Sequence, residues 1–263
     1  MSSAPFLSVS IATNHFTKST SLQVVPGPSS IGVTADIAFL VDSSAKTGRS
    51  NFHLEKMFIK SITRRFTINR HHSHVGVVSY TSRPSLQMRF NQYNSVTEVN
   101  RAVDRMRFSG GRGRRVDLAV RSSYNWFFNR GPSFPFVRKI LVVVVNGRQT
   151  GRSVFMFNRM RSLFARKNVK VFVVGVGGVD QRYLRPLTYR NRHVYVVRNF
   201  RSLVAKAGTI AKAIHSEMNI ANELYQRMRL PKPEATQQQV TYFDKPLPNA
   251  TVISTPVNGT HMA

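Results

Sequence analysis

The stretches RKILVVVVNG, residues 138–147, and VKVFVVGVGG, residues 169–178, constrain this fold more than any other feature. Each is an almost unbroken apolar run, rich in β-branched residues and closed by glycine. Such a run has no polar face to offer water, so it reads as a strand covered on both sides. Between them, VFMFNRMRSLFARKN, 154–168, reads as an amphipathic helix. Strand, helix, strand makes a parallel crossover. ADIAFLVD, 35–42, is a third buried run of the same kind.

The remaining segments extend that pattern. NFHLEKMFIKSITRRF, 51–66, sets Phe52, Met57, Phe58, Ile62 and Phe66 at helical spacing. SVTEVNRAVDRMR, 95–107, opens on Ser95 with Glu98 three residues on, a capping-box pattern, and carries Val96, Val99, Val103 and Met106 as its apolar stripe. Residues 116–129 form another amphipathic stretch, with Trp126 expected in the core. Residues 200–228 read as one long helix or two in series. Residues 73–82 and 85–90 read as strands joined by a turn at Arg83-Pro84, which implies one antiparallel edge strand; 193–199 is a last strand. The fold class is α/β: a doubly wound, mostly parallel central sheet with helices on both faces. Residues 1–34 are expected to be an extended arm, broken at Pro26, Gly27 and Pro28. The domain spans 35–219, and 220–263 is a helical extension with a Pro/Thr/Asn-rich tail. Ligands of such sheets bind beyond the carboxyl ends of the strands, which singles out the loops 42–48, 109–115 and 146–152.

The chain has 39 Lys and Arg against 11 Asp and Glu, a formal net charge of +28. That imbalance speaks of partners rather than fold: acidic proteins, sulfated glycans or nucleic acids. With no cysteine there is no disulfide, zinc-thiolate site or cysteine nucleophile. Apolar runs fall short of the roughly 20 residues needed to span a bilayer, and the first residues do not show the pattern of a signal peptide. Carboxylates are few and no nucleophile elbow is present, so no enzyme and no cofactor are expected. GVGG, 175–178, lacks the dinucleotide-loop spacing, and Gly147 with Gly151 lacks the Gly-Lys-Ser/Thr of a phosphate loop. HHSH, 71–74, is expected to be a polar loop rather than a metal cluster. RSLFARK and QRYLRPLTYRNRH interleave arginine with aromatics, but no RNA-recognition motif accompanies them.

Six pieces in order, ADIAFLVDSSAK, HVGVVSYTSRP, FNQYNSVTEVNRAVDRMRFSGG, RKILVVVVNGR, VKVFVVGVGGVDQRYLRPL and HVYVVRNFRSL, resemble a von Willebrand factor A domain over about residues 35–215. The resemblance implies about six strands and a role in adhesion or matrix assembly. It also implies a metal-ion-dependent adhesion site built from Asp-x-Ser-x-Ser, a Thr after Gly-Gly, and an Asp before Gly. Here Asp42 and Ser44 match the first Asp and Ser. Lys46, Arg112 and Asn146 stand where the second Ser, the Thr and the second Asp belong. Asp117 falls on the following helix. One carboxylate beside two cations is a poor set for a divalent ion, so Mg²⁺, Ca²⁺ and Mn²⁺ are not expected. Asp42 then needs another counter-charge. Lys46, or better Arg112, is expected to supply it as a structural ion pair. Alternatively, Arg112, Arg114, Arg115 and Arg148 form an anion-receiving face, because the guanidinium fork matches carboxylate, phosphate and sulfate.

Two function classes stay open at this point. One is a non-enzymatic, metal-independent adhesion or matrix protein, extracellular, binding an acidic protein or sulfated glycan within an oligomer or multi-protein assembly. The other is an intracellular nucleic-acid-binding or ribonucleoprotein scaffold. Asn249 and Asn258 head glycosylation sequons in the tail and lean toward the first.

Overall fold

Side by side at the centre of one sheet lie the three apolar runs. The structure is a computed structural model and describes residues 34–129, 137–147 and 153–227. Its elements are β1 (Thr34–Asp42), α1 (Arg49–Thr63), β2 (His74–Tyr80), β3 (Pro84–Met88), α2 (Val96–Arg105) and α3 (Val116–Ser123). They continue with β4 (Val137–Asn146), α4 (Ser153–Arg166), β5 (Val169–Val176), α5 (Gln181–Leu184), β6 (Val194–Val197) and α6 (Phe200–Arg227). The strand order is β3-β2-β1-β4-β5-β6. Only β3 runs antiparallel, paired with β2; every other neighbour is parallel. This is the doubly wound sheet expected from the sequence, with its antiparallel strand at the edge. Pro84 opens that strand, and an edge position tolerates proline's missing N–H.

Ile140 to Val145 of β4 are fully buried, alternating between two cores. Ile140, Val142 and Val144 face the core that α1, α2 and α6 cover, with Phe58, Val103 and Ile210. Leu141, Val143 and Val145 face the core under α3 and α4, with Val120 and Phe164. The parallel arrangement follows from this two-sided burial, since a strand without a wet face needs helices on both sides.

Local signals behave as their chemistry dictates. Ser95 caps α2 by accepting from the Glu98 N–H, while the Glu98 carboxylate accepts from the Asn94 N–H at 2.8 Å, one residue earlier than a capping box would have it. The expected helix is a single one over Phe200–Arg227 and crosses 219/220 without a break. Two expectations on amphipathic stripes are corrected. Met57 is 38% exposed, outside the buried stripe of Phe52, Glu55, Phe58, Ile59 and Ile62. Trp126 is 41% exposed rather than core. It sits in a π-helical turn, Tyr124–Phe128, that continues α3 and directs Phe127 and Phe128 inward instead. Phe127 packs so closely on β2 that a Cβ at Gly76 would lie 2.6 Å from its ring. Of the expected arm, 1–34, Thr34 opens β1 instead; residues 1–33 and 228–263, with Arg148, Asn249 and Asn258, lie outside the described residues.

Candidate functional site

The register that sets Leu40 beside Val143 brings the ends of β1 and β4, Asp42 and Asn146, to one rim. The Gly-Gly loop is stapled to the same place. Gly110 N–H donates to the Ser43 carbonyl and Ala45 N–H to the Gly111 carbonyl, both at 2.9 Å. Ser109 N–H donates to Ser43 Oγ at 2.7 Å. Gly111 and Gly113 lie flat on Thr81 and Ser82: a Cβ at either would come within 2.8 Å of those residues. Sequence position therefore does bring the loops 42–48, 109–115 and the end of β4 together.

Within this rim Asp42 is fully buried. Its Oδ1 accepts from the Ser44 N–H at 2.8 Å, and its own N–H donates to Glu55 Oε1 at 3.2 Å. Burial raises the Asp42 pKa from the ordinary carboxylate value, against smaller opposing effects from Ser44, Thr47 and the charge of Arg114. The Ser44 and Thr47 hydroxyls are near enough to act on the carboxylate, but neither completes a well-formed hydrogen bond to Oδ2, which stays without a partner, as does Ser44 Oγ. Glu55, on the buried face of α1, is fully enclosed; burial first, then the Asp42 charge, holds its pKa well above the ordinary value. Tyr80 closes the floor, its hydroxyl donating to the Val144 carbonyl at 2.8 Å. Burial and both carboxylates push that phenol's pKa upward too.

The cation at this site is not the one the sequence suggests. Arg112 is exposed, and so is Lys46; neither forms an ion pair with Asp42. With Gly111 and Gly113 laid against Thr81 and Ser82, Arg112 turns to solvent and Arg114 turns inward. The Arg114 guanidinium donates to the Asn146 carbonyl, and its charge bears on Asp42. Gly147 permits this approach: it has φ 58°, and a Cβ there would lie 2.9 Å from Arg114 Nη1. Asn146 Nδ2 donates to Thr47 Oγ1 at 3.1 Å, tying the loop after β1 to the end of β4 by hydroxyl and amide. Arg115 is held by Asp117 through two bonds, Nε to Oδ1 at 2.9 Å and Nη2 to Oδ2 at 2.8 Å. That occupies its fork and offsets its charge with a carboxylate, so Arg115 is not free to grip an anion.

Thr47, Glu55 and Tyr80 belong to the site although the sequence reading did not name them. Glu55 carried a signal: three residues after Phe52 and four before Ile59, it sits on the apolar face of α1. The histidines of 71–74 do not converge. His74 Nδ1 meets Asp36 Oδ1 at 2.7 Å, while His72 meets Asn69. No group of three or more metal-type side chains occurs among the described residues.

The divalent ion implied by the resemblance can be tested against this donor set. The partnerless Asp42 Oδ2 and Ser44 Oγ are what an oxygen cradle would leave. The rest opposes an ion. A hard divalent cation takes about six oxygens, with carboxylate charge among them. Lys46 and Arg112 face solvent as cations, Asn146 spends its amide on Thr47, and the Arg114 charge already acts on Asp42. The residues present do not fit the ion.

Comparison with known proteins agrees with the fold. The family model for the von Willebrand factor type A domain matches residues 36–207. Mouse (Mus musculus) vitrin is 27% identical over 189 residues, 71% of this chain and 28% of its own length. The collagen alpha-5(VI) chain of Mus musculus is 31% identical over 171 residues, 65% of this chain and 6% of its own. The chain thus matches a minor part of these relatives. Among solved structures, proximal thread matrix protein 1 from the mussel byssus superposes with a TM-score of 0.62 at 22% identity, covering 68% of this chain and 46% of that one. Another structure of that mussel protein has a zinc-occupied MIDAS motif. The match over 36–207, on a six-stranded sheet of order β3-β2-β1-β4-β5-β6, shows that the chain belongs to the von Willebrand factor type A domain family.

Proposed function

We propose that this chain is a non-enzymatic adhesion or matrix-assembly module that holds an acidic partner directly on its cationic strand-end rim, with no divalent ion between them. One observation carries the reading. In the loops 42–48, 81–83 and 107–115, the exposed charged side chains are Lys46, Arg83, Arg107 and Arg112, and the lone carboxylate, Asp42, is buried. A metal site receives a partner's carboxylate at the ion. Here arginine and lysine offer the positive charge themselves, and a guanidinium can take a carboxylate or sulfate at two points. The relatives, vitrin and collagen VI chains, support an extracellular matrix setting.

The test uses the full chain in EDTA at one fixed salt concentration. An acidic protein, heparin, duplex DNA and single-stranded RNA compete for it. Binding to the acidic protein or heparin should persist in EDTA and fall at least about tenfold in the double variant Lys46→Glu, Arg112→Glu. Binding that requires Mg²⁺ or Mn²⁺ overturns the reading. So does a tenfold preference for RNA or DNA, which would favour a nucleic-acid scaffold.

A further inference from the structure

A second concentration of charge lies at the opposite rim, where β4 and β5 begin. Arg138 is two residues before Ile140, and Lys170 two before Phe172; both of those apolar residues face the α1/α6 core. Arg138 and Lys170 therefore leave the sheet on that same face, and the register that pairs Ile140 with Lys170 makes them neighbours. Helix α6 brings one carboxylate, Glu217, which is buried. Arg192 Nη2 and His193 Nε2 both contact Glu217 Oε1, the latter at 3.2 Å. Arg138 turns to main chain and amide: Nε donates to the Glu217 carbonyl at 3.2 Å and Nη1 to Asn168 Oδ1 at 3.1 Å.

Lys170 has no such partner among the described residues. Arg138 is its neighbour across the register, the charges of Arg190 and Arg192 also bear on its half-buried ammonium, and Glu217 is the one carboxylate that does. Burial and those charges push its pKa down. Glu217 is already committed to Arg192 and His193, whose influence outweighs its burial and keeps its pKa below the ordinary value. A half-buried cation subject to the charges of other cations, with the one carboxylate that bears on it engaged elsewhere, is a place that gains from an added anion.

We propose that this rim is a second anion site, separate from the strand-end rim, and that it takes a sulfate group of a sulfated glycan. A tetrahedral oxyanion presents oxygens in several directions. Lys170 would approach from the sheet, and Arg190 and Arg192 from the turn that precedes β6. Phe172, on the same face of the sheet as Lys170, is no platform for a nucleic-acid base, because it is stacked on His193 at 4.3 Å and both are buried. Sulfate also keeps its charge across the physiological pH range. With one site at each end of its strands, the chain could bridge two acidic polymers.

The experiment titrates the full chain with a heparin octasaccharide and with its fully desulfated counterpart, at one fixed salt concentration. Lys170→Met keeps the apolar stem and removes a charge that burial disfavours, so its unfolding midpoint should stay level or rise. Its affinity for the sulfated octasaccharide should fall about tenfold, as for loss of one charge-assisted contact. Arg190→Ala, at an exposed position, should weaken binding in the same direction. Lys212→Met, which removes the same charge from an exposed site on α6, should change affinity less than about twofold. The octasaccharide should also raise the Lys170 pKa, followed by NMR at its side-chain Cε.

Equal losses in Lys170→Met and Lys212→Met would mean diffuse attraction and overturn the site. So would an unmoved Lys170 pKa, equal binding of the desulfated sugar, or a tenfold preference for duplex DNA. The proposal does not rest on the strand-end reading. The double variant at Lys46 and Arg112 tests that rim alone, and should leave the response at Lys170 intact.

Discussion

Replacing Arg114 by alanine separates the cation that works in the strand-end rim from the one the sequence pattern points to. Arg114 reaches inward over Gly147 and donates a charged hydrogen bond to the Asn146 carbonyl at the end of β4. Losing such a bond costs about 1.5–3 kcal/mol, and the loss also removes a cation that favours the ionised form of Asp42. Arg114→Ala should therefore destabilise the domain by about 2 kcal/mol, which lowers the thermal midpoint by about 4–8 °C in a domain of this size. Arg112 is exposed and pairs with nothing in the rim, so Arg112→Ala should stay within about 0.5 kcal/mol of the parent. Urea unfolding of both variants, followed by far-UV circular dichroism at matched slopes, gives the comparison. An Arg112→Ala loss equal to or larger than that of Arg114→Ala would refute the reasoning, because it would put the buried counter-charge on the wrong arginine.

Three further outcomes follow from the same geometry. The proton on Glu55 is held more tightly in the fold than in the unfolded chain, so stability should decline as pH rises from the ordinary glutamate value of 4.5 through the higher folded pKa. Glu55→Gln should remove that decline and be neutral or stabilising at neutral pH, read by denaturant midpoints across a pH series. His74 behaves differently: its bond to Asp36 raises its pKa above 6.5, so its contribution is complete below that value and lost as pH climbs through the folded pKa. His74→Gln should cost stability in mildly acid buffer and little in alkaline buffer. Gly147→Ala should cost about 1–2 kcal/mol in the same assay, since φ is 58° and the added carbon would sit 2.9 Å from the Arg114 guanidinium.

Nearly all of the sheet was legible because its strands are buried on both faces. β1, β4 and β5 carry apolar side chains at almost every position, and only a parallel, helix-covered sheet accommodates that. The proline at 84 likewise marks an edge, where a missing N–H costs nothing. The site was legible as a meeting of loops, since Asp42, Gly111 and Asn146 each end or follow an element whose order is fixed. What the sequence did not show was which way each side chain of 112–115 turns. That depends on the close fit of Gly111 and Gly113 against Thr81 and Ser82, a contact between segments about thirty residues apart. Arg112 and Arg114 stand one and three positions after Gly111, so a shift of two residues exchanges the half-buried arginine for the exposed one. Trp126 was misjudged for a related reason: helical spacing assumes 3.6 residues per turn, and the π-helical turn Tyr124–Phe128 departs from it. The acid at 55 was visible on an apolar face, but its place beneath Asp42 comes from how α1 docks on β1.

Isothermal titration of the full chain with Mg²⁺, Mn²⁺ and Zn²⁺, repeated with Asp42→Asn, most directly tests whether the protein's own cationic and amide groups have taken over the place of the ion. The expected result is no saturable heat in the parent at millimolar metal, and no difference between the parent and Asp42→Asn. Saturable one-site binding that disappears with Asp42→Asn would contradict it.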